Sequence, residues 1–263
     1  MNSTFQRKLT KNKNSKSILR YLIAATVSLT LAACGSSGGS GGSGGDVKSD
    51  VFTNVSIPFI TTWKTDNTGP SDDVTIHINL QSGTADFDID WGDGTSDSNV
   101  TSNTSHSYDF PGTYELSISG QFPGLSMEAD DSDPEKLLTV EQWGDPEWAS
   151  MAYAFAGSVD LVFNATDTPV LTQVTSMAHA FRGATNFNSA IGDWDLSSVN
   201  SMFNVFFEAL EFNQDISDWD VSSVTDMTYL FRRAHSFNQE IGGWDVSSVT
   251  NMFGMFSETK VFN

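Results

Sequence analysis

The chain has 263 residues, enough for one or two domains, and it is strongly acidic, with 33 Asp and Glu against 13 Lys and Arg. Six of the basic side chains lie in the first 20 residues, so the chain beyond residue 33 carries seven basic and 33 acidic side chains, a formal charge of −26. A surface of this charge repels nucleic acid and anionic membrane, which excludes nucleic acid as a partner.

Residues 1–33 are predicted to be a targeting segment rather than part of the fold. A basic region runs to Arg20 and is followed by the apolar stretch Tyr21–Ala33, whose thirteen residues are too few to span a bilayer. The sequence Leu-Ala-Ala that precedes Cys34 resembles the lipobox of bacterial lipoproteins. The resemblance implies cleavage before Cys34 and acylation of that residue, palmitate included, which would anchor the protein to the membrane.

Gly35, and not Asp, follows Cys34. By analogy with lipoprotein sorting in Gram-negative bacteria, this favours the outer membrane and a surface-exposed position in the cell envelope. The alternative is an ordinary secretory signal with an incidental cysteine. Residues 34–50 are predicted to be the lipidated cysteine and a linker, of which Gly35–Gly45 would reach roughly 17–20 Å.

Residues 51–122 are predicted to form a small β-sandwich. Apolar residues alternate with polar ones in Val74–Leu80, Phe87–Trp91 and Tyr114–Ile118, and glycine-containing turns separate them. Phe59–Trp63 is predicted as the first strand. The polar stretch between Thr95 and His106 is interpreted as a surface loop.

Three short motifs in this region resemble a PKD domain, an Ig-like module of secreted and surface proteins. They are Trp91–Thr95, His106-x-Tyr108 and Pro111–Tyr114. The resemblance implies a spacer or binding platform without catalytic chemistry. The carboxylates of Asp88, Asp90 and Asp93 raise the alternative of a calcium site, but their spacing is not that of an EF-hand loop, so solvated carboxylates and no cofactor are favoured.

Residues 123–137 are predicted to be an acidic linker, and residues 138–263 contain a repeat of 25 residues. The tryptophans Trp194, Trp219 and Trp244 mark successive copies. A degenerate copy, predicted to be the N-terminal cap, precedes four repeats, of which the last is incomplete. A fixed period with apolar residues in register is typical of stacked repeats.

Each copy is predicted to be a short strand followed by a helix. Val224, Met227, Phe231 and Ala234 lie three, four and three residues apart, which is the spacing of one helical face. Stacking of the copies would place equivalent side chains in columns. Two such columns are predicted, one of phenylalanines and one of asparagines: Phe187, Phe212, Phe237, Phe262 and Asn188, Asn213, Asn238, Asn263.

The recurring W-D-V/L-S-S-V-x-x-M-x-x-x-F-x-x-A-x-x-F-N-Q resembles the BspA-like leucine-rich-repeat surface proteins of bacteria. The resemblance implies an α/β leucine-rich-repeat solenoid that acts through adhesion or protein binding. The whole chain is therefore predicted to be of mixed class, an Ig-like or PKD-like β-sandwich followed by that solenoid.

The residues give no sign of an enzyme, because the four histidines are scattered and no nucleophile elbow, phosphate loop or dinucleotide motif occurs. A glycosidase with two carboxylates is the enzyme alternative that the acidic composition leaves open. The predicted function is a lipid-anchored surface protein that mediates protein–protein interaction or adhesion. The second hypothesis is a binder of glycans or extracellular matrix through Trp194, Trp219 and Trp244, which requires those tryptophans to be exposed.

Asp195, Asp220 and Asp245 recur at one position of the repeat and are the candidate binding face. In a parallel stack these carboxylates would lie about 4.8 Å apart. Like charges at that distance need solvation, a cation or a basic partner. The alternative is that each carboxylate accepts hydrogen bonds from the serine amides that follow it.

Overall fold

A computed structural model describes residues 56–263, all of which belong to one compact unit. The predicted targeting segment, Cys34 and the glycine-rich linker lie outside the described residues.

The described part begins with eight β-strands in two sheets. Alternation of apolar and polar side chains produces them, as in the first strand, where Phe59, Thr61 and Trp63 are buried. The larger sheet has the order β4-β3-β6-β1-β7-β8, and β2 pairs with β5 in the smaller one. The strands are β1 (Phe59–Lys64), β2 (Thr75–Ile78), β3 (Asp86–Asp90), β4 (Ser96–Val100), β5 (Thr104–Ser107), β6 (Thr113–Gln121), β7 (Leu137–Gln142) and β8 (Val162–Phe163).

The predicted strands around residues 59–63, 74–80, 87–91 and 114–118 are confirmed as β1, β2, β3 and β6. The predicted loop between Thr95 and His106 is wrong, because most of it forms β4 and β5. Every residue of β4 except Val100 is exposed, so these strands lack the apolar alternation from which a strand is predicted. Their pairing with β3 and β2 forms them instead.

Strand β7 connects the first half of the chain to the repeats. The alternating stretch Leu137–Trp143 predicts a strand at the start of the repeats, and the strand itself is confirmed as β7. Its main partner lies outside the repeats, because it pairs antiparallel with β1, and β8 joins it in parallel. The segment just before β7 is also packed, with Asp133 and Lys136 both fully buried. The Lys136 ammonium donates to the carbonyls of Asp72 at 2.7 Å and Thr75 at 3.0 Å, which satisfies a charge that would otherwise be costly to bury.

The predicted α/β leucine-rich-repeat solenoid is wrong. Residues 56–263 contain no α-helix, only a 3-10 turn at Pro134–Lys136, and the two sheets end at Phe163 without extending along the repeats. The copies are joined instead by isolated parallel bridges, Ser176↔Ser201, Ser201↔Asp226 and Asp226↔Asn251. We call each 25-residue copy a coil.

Hydrogen bonds between coils replace the helix. The amides of Met227, Tyr229, Phe231 and Arg233 donate to the carbonyls of the next coil, at residues 251, 253, 255 and 257, over 2.9–3.0 Å. Between them, the amides of Leu230 and Arg232 donate to the carbonyls three residues back at 3.2 and 3.1 Å, and the Thr228 amide donates to the Asp226 carboxylate at 2.9 Å. An α-helix needs each of these donors for the carbonyl four residues earlier, so the two arrangements exclude one another.

The backbone conformation agrees with this account. Two positions of each coil, four residues apart, have positive φ, for example 55° at Tyr229 and 60° at Arg233. A left-handed residue interrupts a right-handed helix. The equivalent residues of the other coils share the conformation: Tyr153, His179, Asn204 and Gly254 at the first position, and Gly157, Gly183, Glu208 and Glu258 at the second.

The predicted columns of equivalent side chains are present. Phe212 stacks on Phe187 and on Phe237 with centroids 6.1 Å apart, and Phe262 continues the column at 5.7 Å. The asparagine column is also present, because the Asn213 amide donates to the Asn188 side-chain oxygen at 3.0 Å and the next two coils repeat the bond. Asn188 and Asn238 are exposed, so this column lies at the surface.

Substitution of Gly183 tests the left-handed positions. A Cβ added there meets nothing closer than 4.0 Å, so the cost of Gly183→Ala is conformational and not steric. We expect a loss of about 1–2 kcal/mol in the free energy of unfolding, measured by urea denaturation.

Gly242→Ala is the matched control, because Gly242 also has free space but lacks a positive φ. It should leave the stability unchanged within about 0.5 kcal/mol. Equal effects of the two substitutions would contradict the conformational explanation.

Candidate functional site

The coils agree in their inward side chains and differ in their outward ones. Inward positions repeat Met and Phe, as at Met202 and Phe206, which are fully buried. Outward positions of the turn segment carry different residues from coil to coil. We call their surface the turn face. In four successive coils it comprises residues 178, 179, 182, 183; 203, 204, 207, 208; 228, 229, 232, 233; and 253, 254, 257, 258. Its varied chemistry makes it the part of the repeats in which recognition can reside.

At the centre of the turn face, one ring lies between two guanidinium groups. Arg182, Phe207 and Arg232 occupy the same position of successive coils. Their guanidinium carbons lie 5.8 Å and 5.4 Å from the centroid of the Phe207 ring, within the range of cation–π attraction. Arg232 also lies 5.0 Å from the centroid of Tyr229.

Beside this group lies a chain of ion pairs. Arg233 contacts Glu208 at 2.6 Å and Glu258 at 2.8 Å, and Arg232 contacts Glu258 at 3.0 Å. Arg182 forms no ion pair with any residue of the described part of the chain. Its guanidinium is therefore the cation on this face that is not already matched by a carboxylate.

Aromatic side chains extend the turn face along the stack. The His179 ring stacks on Tyr153 with centroids 4.3 Å apart and meets the edge of Phe203 at 5.0 Å. Two coils later, Tyr229 and Phe253 stand at the positions of His179 and Phe203 and form the same edge contact. Phe253 is 66% exposed. Burial, followed by the charge of Arg182, lowers the pKa of His179 to about 4.

The predicted face of Asp195, Asp220 and Asp245 lies elsewhere on the coils. Each carboxylate accepts a hydrogen bond from the amide two residues later, at 3.1, 3.0 and 3.0 Å. Hydrogen bonding to that serine lowers the pKa of all three, and repulsion from Asp220 opposes the shift at Asp195 and Asp245 without reversing it. The alternative of serine capping is thus what the structure shows, and a role in binding stays a prediction.

The other residues considered from the sequence have structural contacts. Two of the candidate calcium carboxylates accept backbone hydrogen bonds: Asp88 of β3 from the Asn99 amide of β4, and Asp90 from the Gly92 amide of the turn that follows it. Asp93 contacts His106 at 2.8 Å. Within residues 56–263, no group of three His, Cys, Asp or Glu side chains could hold a metal ion. Nor does any helix in that range have the length and apolarity needed to cross a membrane.

The tryptophans of the glycan hypothesis are buried. Trp194, Trp219 and Trp244 are 5%, 3% and 8% exposed. Trp219 and Trp244 also donate their indole N–H to backbone carbonyls, of Ile191 at 3.0 Å and of Ile216 at 3.1 Å. A sugar-binding surface formed by three exposed indole rings is therefore not present.

Comparison with known proteins covers the repeats only. Residues 149–263 match a family described as "Mycoplasma protein of unknown function, DUF285", which is a family of BspA-like surface proteins. The match spans less than half of the chain, so this region is similar to that family. No curated protein and no solved structure matches the chain.

These findings correct the resemblance drawn from the motifs. Neither a PKD family nor a leucine-rich-repeat family matches, so the identification as a leucine-rich-repeat lipoprotein with a PKD-like domain is wrong. The Trp-Gly-Asp-Gly turn that suggested a PKD domain is a short local motif, and Asp90 and Asp93 cap it locally. What stands is the likeness of the repeats to a surface-protein family.

Replacement of His179 should alter the dependence of stability on pH. Its pKa is about 4 when folded and ordinarily near 6.5, so the unfolded chain binds the additional proton between these values. The contribution of His179 to stability is therefore complete above pH 6.5 and is lost as the pH falls toward 4. We expect the urea midpoint to drop less between pH 7 and pH 5 in His179→Asn than in the wild type.

Asparagine is a suitable replacement because Asn204 has the same left-handed backbone at the equivalent position of the next coil. Carboxylates that titrate in this range contribute to both proteins and cancel in the comparison. The same fall in both proteins would show that His179 is not held neutral.

Proposed function

We propose that this protein is a surface-anchored interaction or adhesion protein that binds a protein partner through the turn face. The supporting observation is the half-buried Phe207 ring that lies between the guanidinium groups of Arg182 and Arg232. Aromatic residues and arginine are enriched in the energetically dominant parts of protein interfaces. The ion pairs of Arg233 and the stacked rings hold the face in one conformation before a partner binds, which lowers the entropy lost on binding.

Charge gives the turn face its selectivity. All three arginines of residues 56–263 lie on it, in a chain whose other surfaces are predominantly acidic. An acidic surface repels acidic partners, whereas Arg182, which no carboxylate of residues 56–263 pairs, gives this face a cation to which such a partner could attach. A partner with exposed carboxylates and an apolar centre fits this arrangement.

The anchor belongs to the same proposal. Lipidation of Cys34 would hold the protein in the outer membrane, and the glycine-rich segment after it would let residues 56–263 reach away from the lipid. Similarity of the repeats to a surface-protein family agrees with this position.

Substitutions on the two faces can locate the binding surface. We expect Phe207→Ala and Arg182→Glu each to reduce attachment of cells that display the full protein by about tenfold or more, because each removes the centre of the turn face. Attachment to neighbouring or host cells is counted under flow.

The matched control is the triple variant of Asp195, Asp220 and Asp245 to Asn, which alters the other candidate face. It should attach as the wild type does, and melting curves verify that all variants are folded. Loss of attachment in the Asp variant, with retention in both turn-face variants, would assign binding to the aspartate face instead.

Cys34→Ala tests the anchor. The wild type should partition into the detergent phase and incorporate labelled palmitate, whereas the variant should remain in the aqueous phase without label. The physical reason is that several acyl chains bury enough CH₂ groups for stable anchoring, at about 0.8 kcal/mol each. An unlabelled wild-type protein released into the medium would contradict lipidation and favour the ordinary secretory signal.

A further inference from the structure

A cleft of about 260 Å³ lies where the regular repeats begin. Two equivalent loops form its walls, one at residues 165–168 and the other at residues 190–193 of the next coil. Trp143, Phe163 and Trp194 form the rest of its lining.

The cleft exists because two residues depart from the repeat. Pro169 stands where later coils have tryptophan, and Thr166 stands where they have Ile191 and Ile216. Later in the stack, Trp219 and Trp244 stack on one another at 6.4 Å. Trp194 lacks such a neighbour on the Pro169 side, and Phe163 at 5.9 Å and the edge of Trp143 at 5.4 Å only partly take its place.

The same departure leaves a hydrogen-bond donor without a partner. Trp219 and Trp244 donate their indole N–H to the carbonyl 28 residues earlier. The equivalent acceptor for Trp194 would be the Thr166 carbonyl, but no residue of the described chain accepts from the Trp194 indole. Trp194 lines the cleft, so this donor is available to a ligand that enters it.

Acceptors lie beside this donor. Asp193 lines the cleft, and none of residues 56–263 donates a hydrogen bond to its carboxylate. The side chains of Thr166 and Thr168 add hydroxyls on the opposite wall. Asp167 differs from Asp193, because it caps the amides of Trp143 at 3.1 Å and Gly144 at 2.8 Å.

We propose that this cleft binds one neutral sugar residue. The Trp194 indole donates to a hydroxyl oxygen, and the Asp193 carboxylate accepts from a neighbouring hydroxyl. A pyranose carries vicinal hydroxyls that both donate and accept, and its C–H groups pack against Phe163 and Trp143, which line the cleft. The rings are too deeply buried for a sugar to stack on their faces, so recognition is at the edge.

Other ligand classes fit the cleft less well. An anion would lie beside Asp193 and Asp167 in a chain whose part beyond residue 33 has a formal charge of −26. A simple cation would satisfy Asp193 but would leave the Trp194 donor unmatched. Only a ligand with both donors and acceptors satisfies both groups.

The probes are glucose, galactose, mannose, N-acetylglucosamine and their disaccharides, titrated into the lipid-free protein and followed by saturation-transfer NMR and calorimetry. Trp194→Phe keeps the ring and removes the donor, and Asp193→Asn removes the charge of an exposed side chain. We expect each to weaken binding of the best sugar at least tenfold. Thr166→Ile with Pro169→Trp, which restores the repeat and fills the cleft, should abolish binding.

The controls are the equivalent substitutions outside the cleft, Trp244→Phe and Asp218→Asn, which should change the affinity by less than twofold. Absence of binding by every probe to the wild type would overturn the proposal, as would equal losses in cleft and control variants. The turn-face variant Phe207→Ala should bind sugar normally. The proposal of a sugar site and the proposal of a protein-binding face are therefore tested independently.

Discussion

The alternating use of backbone amides governs the repeat region. Every second donor of the turn segment bonds to the following coil, and the donors between them close turns within their own coil. This division satisfies the backbone without an α-helix or a continuous sheet, and it requires left-handed residues at two positions of each coil. Equivalent side chains consequently meet across the coil interface, which produces the phenylalanine stack at the centre and the asparagine bonds at the surface.

That geometry separates structural positions from recognition positions. Met and Phe side chains are fully buried in each coil from Met151 to Phe231, so their identity is constrained by packing against the equivalent residue. Outward positions carry no such constraint. In this chain they hold Arg182, Phe207 and Arg232 in one column, whereas the aspartates on the other side cap the serines that follow them. The proposed binding function follows from this contrast.

The junction between the strands and the repeats shows the opposite behaviour. Here the coil pattern is imperfect, and β7 and β8 join the larger sheet. The departures at Thr166 and Pro169 remove a ring and an acceptor that regular coils provide, so a cleft and an unmatched donor appear together. Both candidate sites therefore lie where side chains differ between copies: the turn face varies from coil to coil, and the cleft forms where Thr166 and Pro169 depart from the repeat.

The amino-acid sequence by itself determined the 25-residue period, the inward columns and five of the β-strands, because each depends on the spacing of apolar residues. It could not distinguish a helix from the observed coil, since Met227, Leu230, Phe231 and Ala234 point inward in both. Only contact with the neighbouring coil decides between them, because the amides that would form the helix are bonded to carbonyls 24 residues later. The same limit applies to the pairing of β7 with β1, to β4, to the turn face and to the cleft, whose residues are distant in the chain and are brought together only by tertiary structure.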